Sequence, residues 1–258
     1  MTDATPTTLT SQYPNEGGLM NEVKGGEELS TGRRLTSGLT FLALGILVVT
    51  GVGFGLHQAS KSPQSKLYAT VNGTTDVPGF GTLKHAFISE SVWPDVQTAV
   101  DNGAKADRRH PWPFYGPASH FVLPAHALVT VTLKVYDGGE KLNHNYFAKV
   151  IGTVGNTMTV DGKVVDALAP DGVQHTFTLH GIPTSTQDPL FVNVPLPVAD
   201  PDNKPGSFHT VTFSFVTQGV GEYVWNCEYP CGDGTYAKFG AVMGAQGYMS
   251  GKVSVVNV

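Results

Sequence analysis

The sequence predicts an all-β sandwich preceded by one membrane-spanning α-helix. Short runs of alternating apolar and polar residues, broken by Gly and Pro, fill the chain after Pro124, and this spacing is typical of sandwiches and barrels. One long apolar run lies near the N-terminus. Charged residues make up only 14% of the chain, which contains 31 Gly and 17 Pro. This composition is typical of a loop-rich β protein that carries an apolar segment.

The apolar run extends from Leu35 to Leu56 and contains no charged residue. A membrane-spanning helix needs about 20 such residues. Because Arg33 and Arg34 adjoin its start, the positive-inside rule places residues 1–34 in the cytoplasm and the C-terminal domain outside the cell membrane. A cleaved signal peptide is the alternative, but a long polar segment precedes the run and favours a single-pass anchor. We expect a disordered tail over 1–34 and a transmembrane helix over 35–56.

Residues 57–124 predict a linker and an irregular lead-in segment. Within this segment, residues 91–103 predict a short helix, with Pro94 near its start and Gly103 just beyond its end. Residues 110–117 contain too many prolines for a regular element. We expect this loop to pack its aromatic side chains on the main domain rather than against a partner.

The pattern is β throughout residues 125–258, which we expect to form one extracytoplasmic sandwich. The dipeptide Asp161-Gly162 lies between two β runs and predicts a two-residue hairpin turn. Strands are predicted at 127–136, 157–165, 174–179, 190–194, 209–216, 221–226 and 252–256.

Charge and motifs exclude several classes of function. The formal net charge is -5 with no basic cluster, which argues against a nucleic-acid partner. The sequence lacks a nucleophile elbow, an H-E-x-x-H motif, a P-loop and a dinucleotide fingerprint, so hydrolase or nucleotide chemistry has no support.

A group of sulfur and nitrogen ligands near the C-terminus indicates a metal site. The only two cysteines lie in Cys227-Glu-Tyr-Pro-Cys231, Met249 follows, and His175 begins an earlier β run. Thiolate and thioether sulfur with imidazole suit copper, and a cysteine pair can bridge two copper ions. The alternative is a disulfide in an oxidising compartment, with His175 and Met249 as structural residues. His180 is expected in a turn rather than in the site.

The same segments resemble the copper A domain of subunit II of haem-copper oxidases, a cupredoxin-like Greek-key β-sandwich. The resemblance rests on Asp-Gly-Val-Gln-His175-Thr-Phe, on the run Gly221-Glu-Tyr-Val-Trp-Asn leading into the cysteines, and on Tyr-Met249-Ser-Gly-Lys-Val. It covers a little more than a third of the chain and is strongest for subunits with a single helix before the domain. It implies that copper is held by His175, Cys227, Cys231, Met249 and the backbone carbonyl of Tyr229.

The chain departs from that family at one ligand. The family has a second histidine three residues before the methionine, where this chain has Gln246, and no histidine follows Cys231. The amide oxygen of Gln246 or the thioether of Met243 are the replacements that the longer loop offers. The tryptophan- and tyrosine-rich stretch of the family is also missing, because the tract from Trp112 to Tyr115 is short and broken by proline.

The resemblance implies a membrane-anchored electron-transfer protein of a respiratory chain. Such a subunit of cytochrome c oxidase takes one electron from a cytochrome c-like donor and passes it to a catalytic subunit, so this chain alone would hold no catalytic centre. Two alternatives remain. One is a mononuclear copper carrier, and the other is a metal-free accessory subunit with a Cys227–Cys231 disulfide.

Overall fold

The structure, a computed structural model, describes residues 31–60, 65–106, 110–136, 145–181, 186–198, 206–232 and 240–258. The chain divides into two compact units, residues 1–61 and residues 62–258. Most of the expected cytoplasmic tail, residues 1–30, lies outside the described residues.

The first unit contains one long helix, α1 (Thr31–Ser60). Its stretch Gly38–His57 is long and apolar enough to cross a membrane. Large apolar side chains such as Leu42 and Phe54 are exposed along it. The hydroxyl groups of Thr40 and Thr50 donate to backbone carbonyls of the preceding turn, at 2.8 Å each. Such local bonds satisfy polar groups where no water is available, so the helix has the properties that the sequence predicts for 35–56.

Within the described residues, the second unit contains thirteen strands and one short α-helix. In chain order the strands are β1 (Lys66–Tyr68), β2 (Thr70–Val77), β3 (Gly81–Trp93), β4 (Phe114–Gly116), β5 (His120–Pro124), β6 (Ala127–Val135), β7 (Met158–Val160), β8 (Lys163–Val165), β9 (Val173–Gly181), β10 (Phe191–Pro197), β11 (His209–Thr217), β12 (Gly221–Asn226) and β13 (Ser250–Val256). The helix α2 (Val96–Asp101) lies between β3 and β4.

The strands form two sheets. The first has the order β1-β5-β13-β12-β9-β10, and the second has the order β2-β3-β6-β11-β7-β8 with β4 paired to β3. The pairs β1–β5, β5–β13 and β3–β6 are parallel, and the remaining pairs are antiparallel. This two-sheet architecture confirms the predicted all-β sandwich.

Aromatic side chains from both sheets fill the core between them. The ring of Phe177 on β9 stacks on Trp225 of β12, with centroids 5.6 Å apart, and meets Phe213 of the other sheet at 5.4 Å. The strand β6 alternates buried and more exposed residues along its length, as a strand with one face on the core must. The core therefore fixes β9, which carries His175, and β12, which leads to the cysteines.

The predicted hairpin at Asp161-Gly162 is confirmed. The strands β7 and β8 flank this dipeptide, whose φ values are 48° and 82°. Two consecutive positive φ angles are the requirement of the tight hairpin turn that Asp-Gly favours. The Asp161 carboxylate also accepts a hydrogen bond from the Thr210 N–H at 2.8 Å, which holds the turn against β11.

The segment before the main domain is more regular than the sequence predicts. The short helix is present, with Asp95 capping it by accepting from the Thr98 N–H at 2.7 Å. Within residues 57–124, however, five strands lie in the sandwich, so the expectation of an irregular lead-in was wrong. The long strand β3 has mostly exposed residues in its first half, so its sequence there lacks a clear alternation of apolar and polar residues. The strand β5 is buried throughout, and a fully buried strand lacks the alternation of apolar and polar residues from which a strand is predicted.

His180 also differs from its prediction. It lies within β9 rather than in a turn, and its Nε2 lies 3.1 Å from the Asn226 side-chain oxygen. An odd separation along a strand places His180 on the face opposite His175. This agrees with the expectation that His180 is not a ligand.

Candidate metal centre

The pairing of β9 with β12 brings the predicted ligands together. The two strands run antiparallel, with Asn226 opposite Thr178. Cys227 follows the last residue of β12, so it lies beside the early part of β9, where His175 is located. The ligands thus come from the start of one core strand and from the loop that follows its neighbour.

His175, Cys227 and Cys231 form a compact buried cluster. The Nδ1 atom of His175 lies 2.9 Å from the Cys231 sulfur and 3.7 Å from the Cys227 sulfur. The two sulfurs are 3.2 Å apart, and one ligand atom from each residue lies within 4.8 Å of the others. The residues are 4%, 0% and 6% exposed. Three donors that the sequence singles out therefore converge on one protected site.

Cys227 and Cys231 are not joined in a disulfide in this structure. Their sulfurs are 3.2 Å apart, well beyond the roughly 2.05 Å of a disulfide bond. The arrangement described here is therefore that of two thiols beside one imidazole.

The surroundings of Cys227 favour its thiolate. Burial opposes ionisation of this thiol, but hydrogen bonds from Cys231 and His175, the charge of His175 and the Thr176 N–H outweigh burial. Together they hold the pKa of Cys227 well below its ordinary value. The thiolate is the form that binds metals, so the site prepares one sulfur for coordination.

Tyr229 and Met249 also adjoin the cluster. The Tyr229 carbonyl oxygen lies 3.2 Å from the Cys231 sulfur. The Met249 side chain is fully buried, and its carbonyl accepts a hydrogen bond from the Cys227 N–H at 2.8 Å. Burial, followed by the charge of Cys227, raises the pKa of the Tyr229 hydroxyl. Both residues thus contact a cysteine through their backbone carbonyls.

Met243 and Gln246 lie in a different environment. Met243 belongs to a short 3-10 helix (Ala241–Gly244) and is half-buried, whereas Gln246 is exposed. Both line an open depression of about 280 Å³ beside β12 and β13, together with Asn226 and Gly251. Their participation as ligands stays a prediction.

Two residues that the sequence did not single out shape the site. The Thr176 N–H donates to the Cys227 sulfur at 3.3 Å, and the Thr176 hydroxyl accepts from the Glu228 N–H at 2.9 Å. Gly232 has φ of 70°, and a Cβ there would lie 2.1 Å from a methyl carbon of Val242. The position of Gly232 directly after Cys231 was the sequence feature that could have identified it as part of the site. Thr176 offered none beyond its position next to His175.

The proline-rich segment 110–117 packs beside the site, as expected, but the prediction that it contains no regular element was wrong, because Phe114–Gly116 form β4. His110 stacks on Trp112 with ring centroids 4.2 Å apart, and Trp112 meets the edge of Tyr248 at 5.3 Å. The His110 N–H donates to the Tyr248 hydroxyl at 3.1 Å, and the Tyr115 N–H donates to the Tyr248 carbonyl at 3.0 Å. This loop therefore fixes the residue that precedes Met249.

The donor set fits copper. Two buried thiols and one imidazole form a soft environment, and soft thiolate ligands select Cu(I). The hydrogen bond from the Thr176 N–H orients the Cys227 sulfur in the manner of supporting groups at known metal sites.

Comparisons with known proteins find structural neighbours only. No protein-family model matches the sequence. No curated protein matches it either. Among solved structures, rusticyanin from Thiobacillus ferrooxidans is 15% identical, with 67% of this chain and 77% of that chain covered and a TM-score of 0.33. Auracyanin B is 14% identical, with 71% and 96% covered and a TM-score of 0.31. A further rusticyanin structure describes that protein as a copper protein, at 14% identity, 67% and 78% coverage and a TM-score of 0.33. A likeness at this level leaves the metal assignment to the geometry of the site.

Proposed function

We propose that the chain is a membrane-anchored electron-transfer protein that binds copper through His175, Cys227 and Cys231. The observation that carries the proposal is the convergence of three buried ligand atoms within 4.8 Å of one another. Met249 and the Tyr229 carbonyl complete the proposed ligand set. Bound copper would alternate between Cu(I) and Cu(II) and so carry one electron.

The protein's own residues prepare the site for that role. The Thr176 N–H and the His175 ring stabilise the Cys227 thiolate. Burial of both cysteines excludes water and oxidants from the sulfurs. The bond from the Cys227 N–H to the Met249 carbonyl joins the two ends of the loop. Little has to move between oxidation states when the ligands are held in this way.

The donors allow either one copper ion or two. The cluster of His175, Cys227 and Cys231 supplies the three donors of a mononuclear site. A binuclear centre of the copper A type is the more specific alternative. The distance of 3.2 Å between the Cys227 and Cys231 sulfurs supports it. That centre requires a further donor on the second ion in place of the missing histidine, for which Met243 and Gln246 are the candidates.

The membrane anchor and the partners complete the proposal. The stretch Gly38–His57 of α1 is long and apolar enough to span a membrane, and Arg33 and Arg34 before this stretch favour a cytoplasmic N-terminus. We propose a cytochrome c-like donor outside the cell membrane and a haem-containing oxidase subunit as acceptor. Purification from membranes in mild detergent tests this assembly, because an oxidase subunit co-purifies with haem and a free-standing carrier does not.

Copper binding is tested by titrating the reduced full-length protein, in detergent and without oxygen, with Cu(I) held by a chromophoric chelator. We expect the protein to withdraw copper from the chelator, and the Cys227→Ser variant to fail. A Thr212→Ser variant, altered on the outer face of the second sheet, serves as the matched control. Equal copper uptake by the parent protein and by Cys227→Ser would overturn the proposed site.

A further inference from the structure

A chain of three aromatic rings connects the cysteine loop with the protein surface. Tyr229 lies between the two cysteines in sequence, and its side chain is buried. The Phe147 ring packs against the Tyr229 ring, with centroids 6.5 Å apart. Phe147 in turn meets Tyr146 edge-on at 5.3 Å. Tyr146 is 51% exposed. The rings therefore lead stepwise from solvent to the loop that carries the proposed ligands.

Hydrogen bonds tie the segment with these rings to the site. The buried Asn193 side chain donates to the carbonyls of Phe147 and Lys149, at 3.2 and 2.7 Å. Its oxygen accepts from the Thr178 hydroxyl at 2.8 Å. The Thr178 hydroxyl also lies 2.8 Å from that of Thr176. A buried, satisfied network of this kind restricts motion.

The network ends at the site itself. Thr176 contacts the Cys227 sulfur through its N–H, at 3.3 Å, and holds the Glu228 N–H through its hydroxyl, at 2.9 Å. Tyr229 reaches the other sulfur through its own carbonyl, 3.2 Å from Cys231. The aromatic chain thus ends on a residue in direct contact with a proposed ligand, and its outer part is anchored to the same structure.

The burial of the cluster makes such a connection necessary. Because Cys227 and Cys231 are almost fully buried, an external electron carrier cannot touch their sulfurs. An electron has to cross the intervening protein, and electronic coupling through packed atoms exceeds coupling across gaps. A second aromatic group, Trp112 with Tyr248, lies on the other flank of the loop. This second group contacts the loop at Tyr248, which is nearly buried. A substitution in this group therefore serves as a control for substitutions in the chain of Tyr146, Phe147 and Tyr229.

We propose that Tyr146, Phe147 and Tyr229 form the path by which an electron passes between the protein surface and the metal centre. This inference rests on the copper-binding function proposed above. One electron leaves a reduced one-electron carrier at Tyr146, which oxidises that carrier, and arrives at the oxidised copper centre, which is thereby reduced. No proton or atom is transferred.

The path is tested with a photosensitiser placed at its outer end. Lys149 is exposed, and its N–H donates to the Tyr146 carbonyl at 3.2 Å. In a Lys149→Cys variant of the full-length protein, loaded with copper so that the native thiols are occupied, a ruthenium polypyridyl complex is attached to the new thiol. A laser flash then drives one electron from the complex to oxidised copper, and the transient absorption gives the rate.

Variants at the rings are compared with the label kept in place. We expect Phe147→Leu and Tyr146→Leu each to lower the rate about tenfold, which corresponds to about 1.4 kcal/mol in activation free energy. Tyr146→Phe keeps the ring and should keep the rate. Trp112→Leu is the matched substitution in the other aromatic group and should also keep it. Unchanged rates in both leucine variants, or a fall only in Trp112→Leu, would overturn the path.

One further readout separates this inference from the copper proposal. In the metal-free reduced protein, with selectively labelled aromatic residues, nuclear Overhauser contacts should join the Phe147 ring to both tyrosine rings. Their absence would overturn the path whatever the metal content. A protein that binds no copper overturns both proposals, whereas a copper-loaded protein with ring-independent rates overturns only the path.

Discussion

The Nδ1 atom of His175 lies 2.9 Å from the sulfur of Cys231, although 56 positions separate the two residues in sequence. His175 is fixed by β9, a core strand, and Cys231 is held in the loop after β12. Because β9 and β12 are adjacent in the first sheet, the sandwich brings these two donors together. A site organised in this way on rigid strands suits electron transfer.

The Thr176 hydroxyl should stabilise the cysteine loop. A Thr176→Val variant keeps the shape of the side chain but removes the acceptor of the Glu228 N–H and the partner of Thr178. Loss of a buried hydrogen-bond partner costs about 1–3 kcal/mol, and we expect a loss of that size in the free energy of unfolding. Because Thr176 supports a proposed ligand, copper affinity should also fall, by about 10–100-fold.

Urea unfolding and the chelator titration measure the two effects of Thr176→Val. Thr212→Val is the matched control, since its hydroxyl is half-buried on the second sheet and lies 3.5 Å from that of Thr132. Equal changes in both variants would contradict a specific role for Thr176.

Gly232 should be intolerant of any side chain. A Cβ at this position would meet Val242 at 2.1 Å, and its φ is 70°. Gly79 has a similar φ of 83° but open space around its Cβ position. A left-handed residue other than glycine costs about 1–2 kcal/mol, so Gly79→Ala should lose this amount. Overpacking adds about 1–3 kcal/mol, so Gly232→Ala should lose clearly more.

Thermal or urea unfolding of the two alanine variants gives the comparison for Gly232. A further variant, Gly232→Ala combined with Val242→Ala, removes the clashing methyl groups and tests the steric cause through the coupling of the two changes. Similar stabilities of Gly232→Ala and Gly79→Ala would show that backbone conformation alone matters there.

Stability should fall below neutral pH because of His120. Burial, and then the charge of Lys66, lower the pKa of His120. Lys66 and Lys252 stand opposite His120 on the strands at either side. Since the folded-state pKa is depressed, the unfolded chain binds the proton more readily. The free energy of unfolding that neutral His120 supports is fully present above about pH 6.5 and is lost as the pH falls through that value toward the folded-state pKa.

Urea unfolding between pH 7.5 and 5 tests the role of His120. A His120→Gln variant should lose less free energy of unfolding as the pH falls. Lys66→Gln should also reduce this loss, because it removes the positive charge that, after burial, lowers the pKa of His120. The same slope in the parent protein and in His120→Gln would rule out this histidine as a source of acid sensitivity.

The sequence predicted the strands of the core far better than those of the first half. Strands such as β12 and β11 alternate clearly because one face lies on the core. The strands β3 and β5 depend on partners far away in sequence, so their local patterns are weak. The donors His175, Cys227 and Cys231 were predicted from residue type and spacing. The role of Thr176 follows from the register of β9 and β12 and could not be read from sequence.

The placement of the aromatic residues was only partly predictable. The proline-rich loop was expected to pack on the domain, but its contact with Tyr248 depends on the tertiary fold. The succession of Tyr146, Phe147 and Tyr229 joins two segments that are far apart in sequence. Only the folded sandwich brings them into line.

The central claim is that the sulfurs of Cys227 and Cys231 bind copper that exchanges one electron. Electron paramagnetic resonance of the copper-loaded, partly oxidised full-length protein tests it most directly, with Cys231→Ser measured in parallel. We expect a thiolate-bound copper signal, four-line for one ion or multi-line for an electron shared by two, that Cys231→Ser abolishes or transforms. A spectrum of weakly bound Cu(II) that is identical in Cys231→Ser, or no bound copper with both cysteines joined in a disulfide, would contradict it.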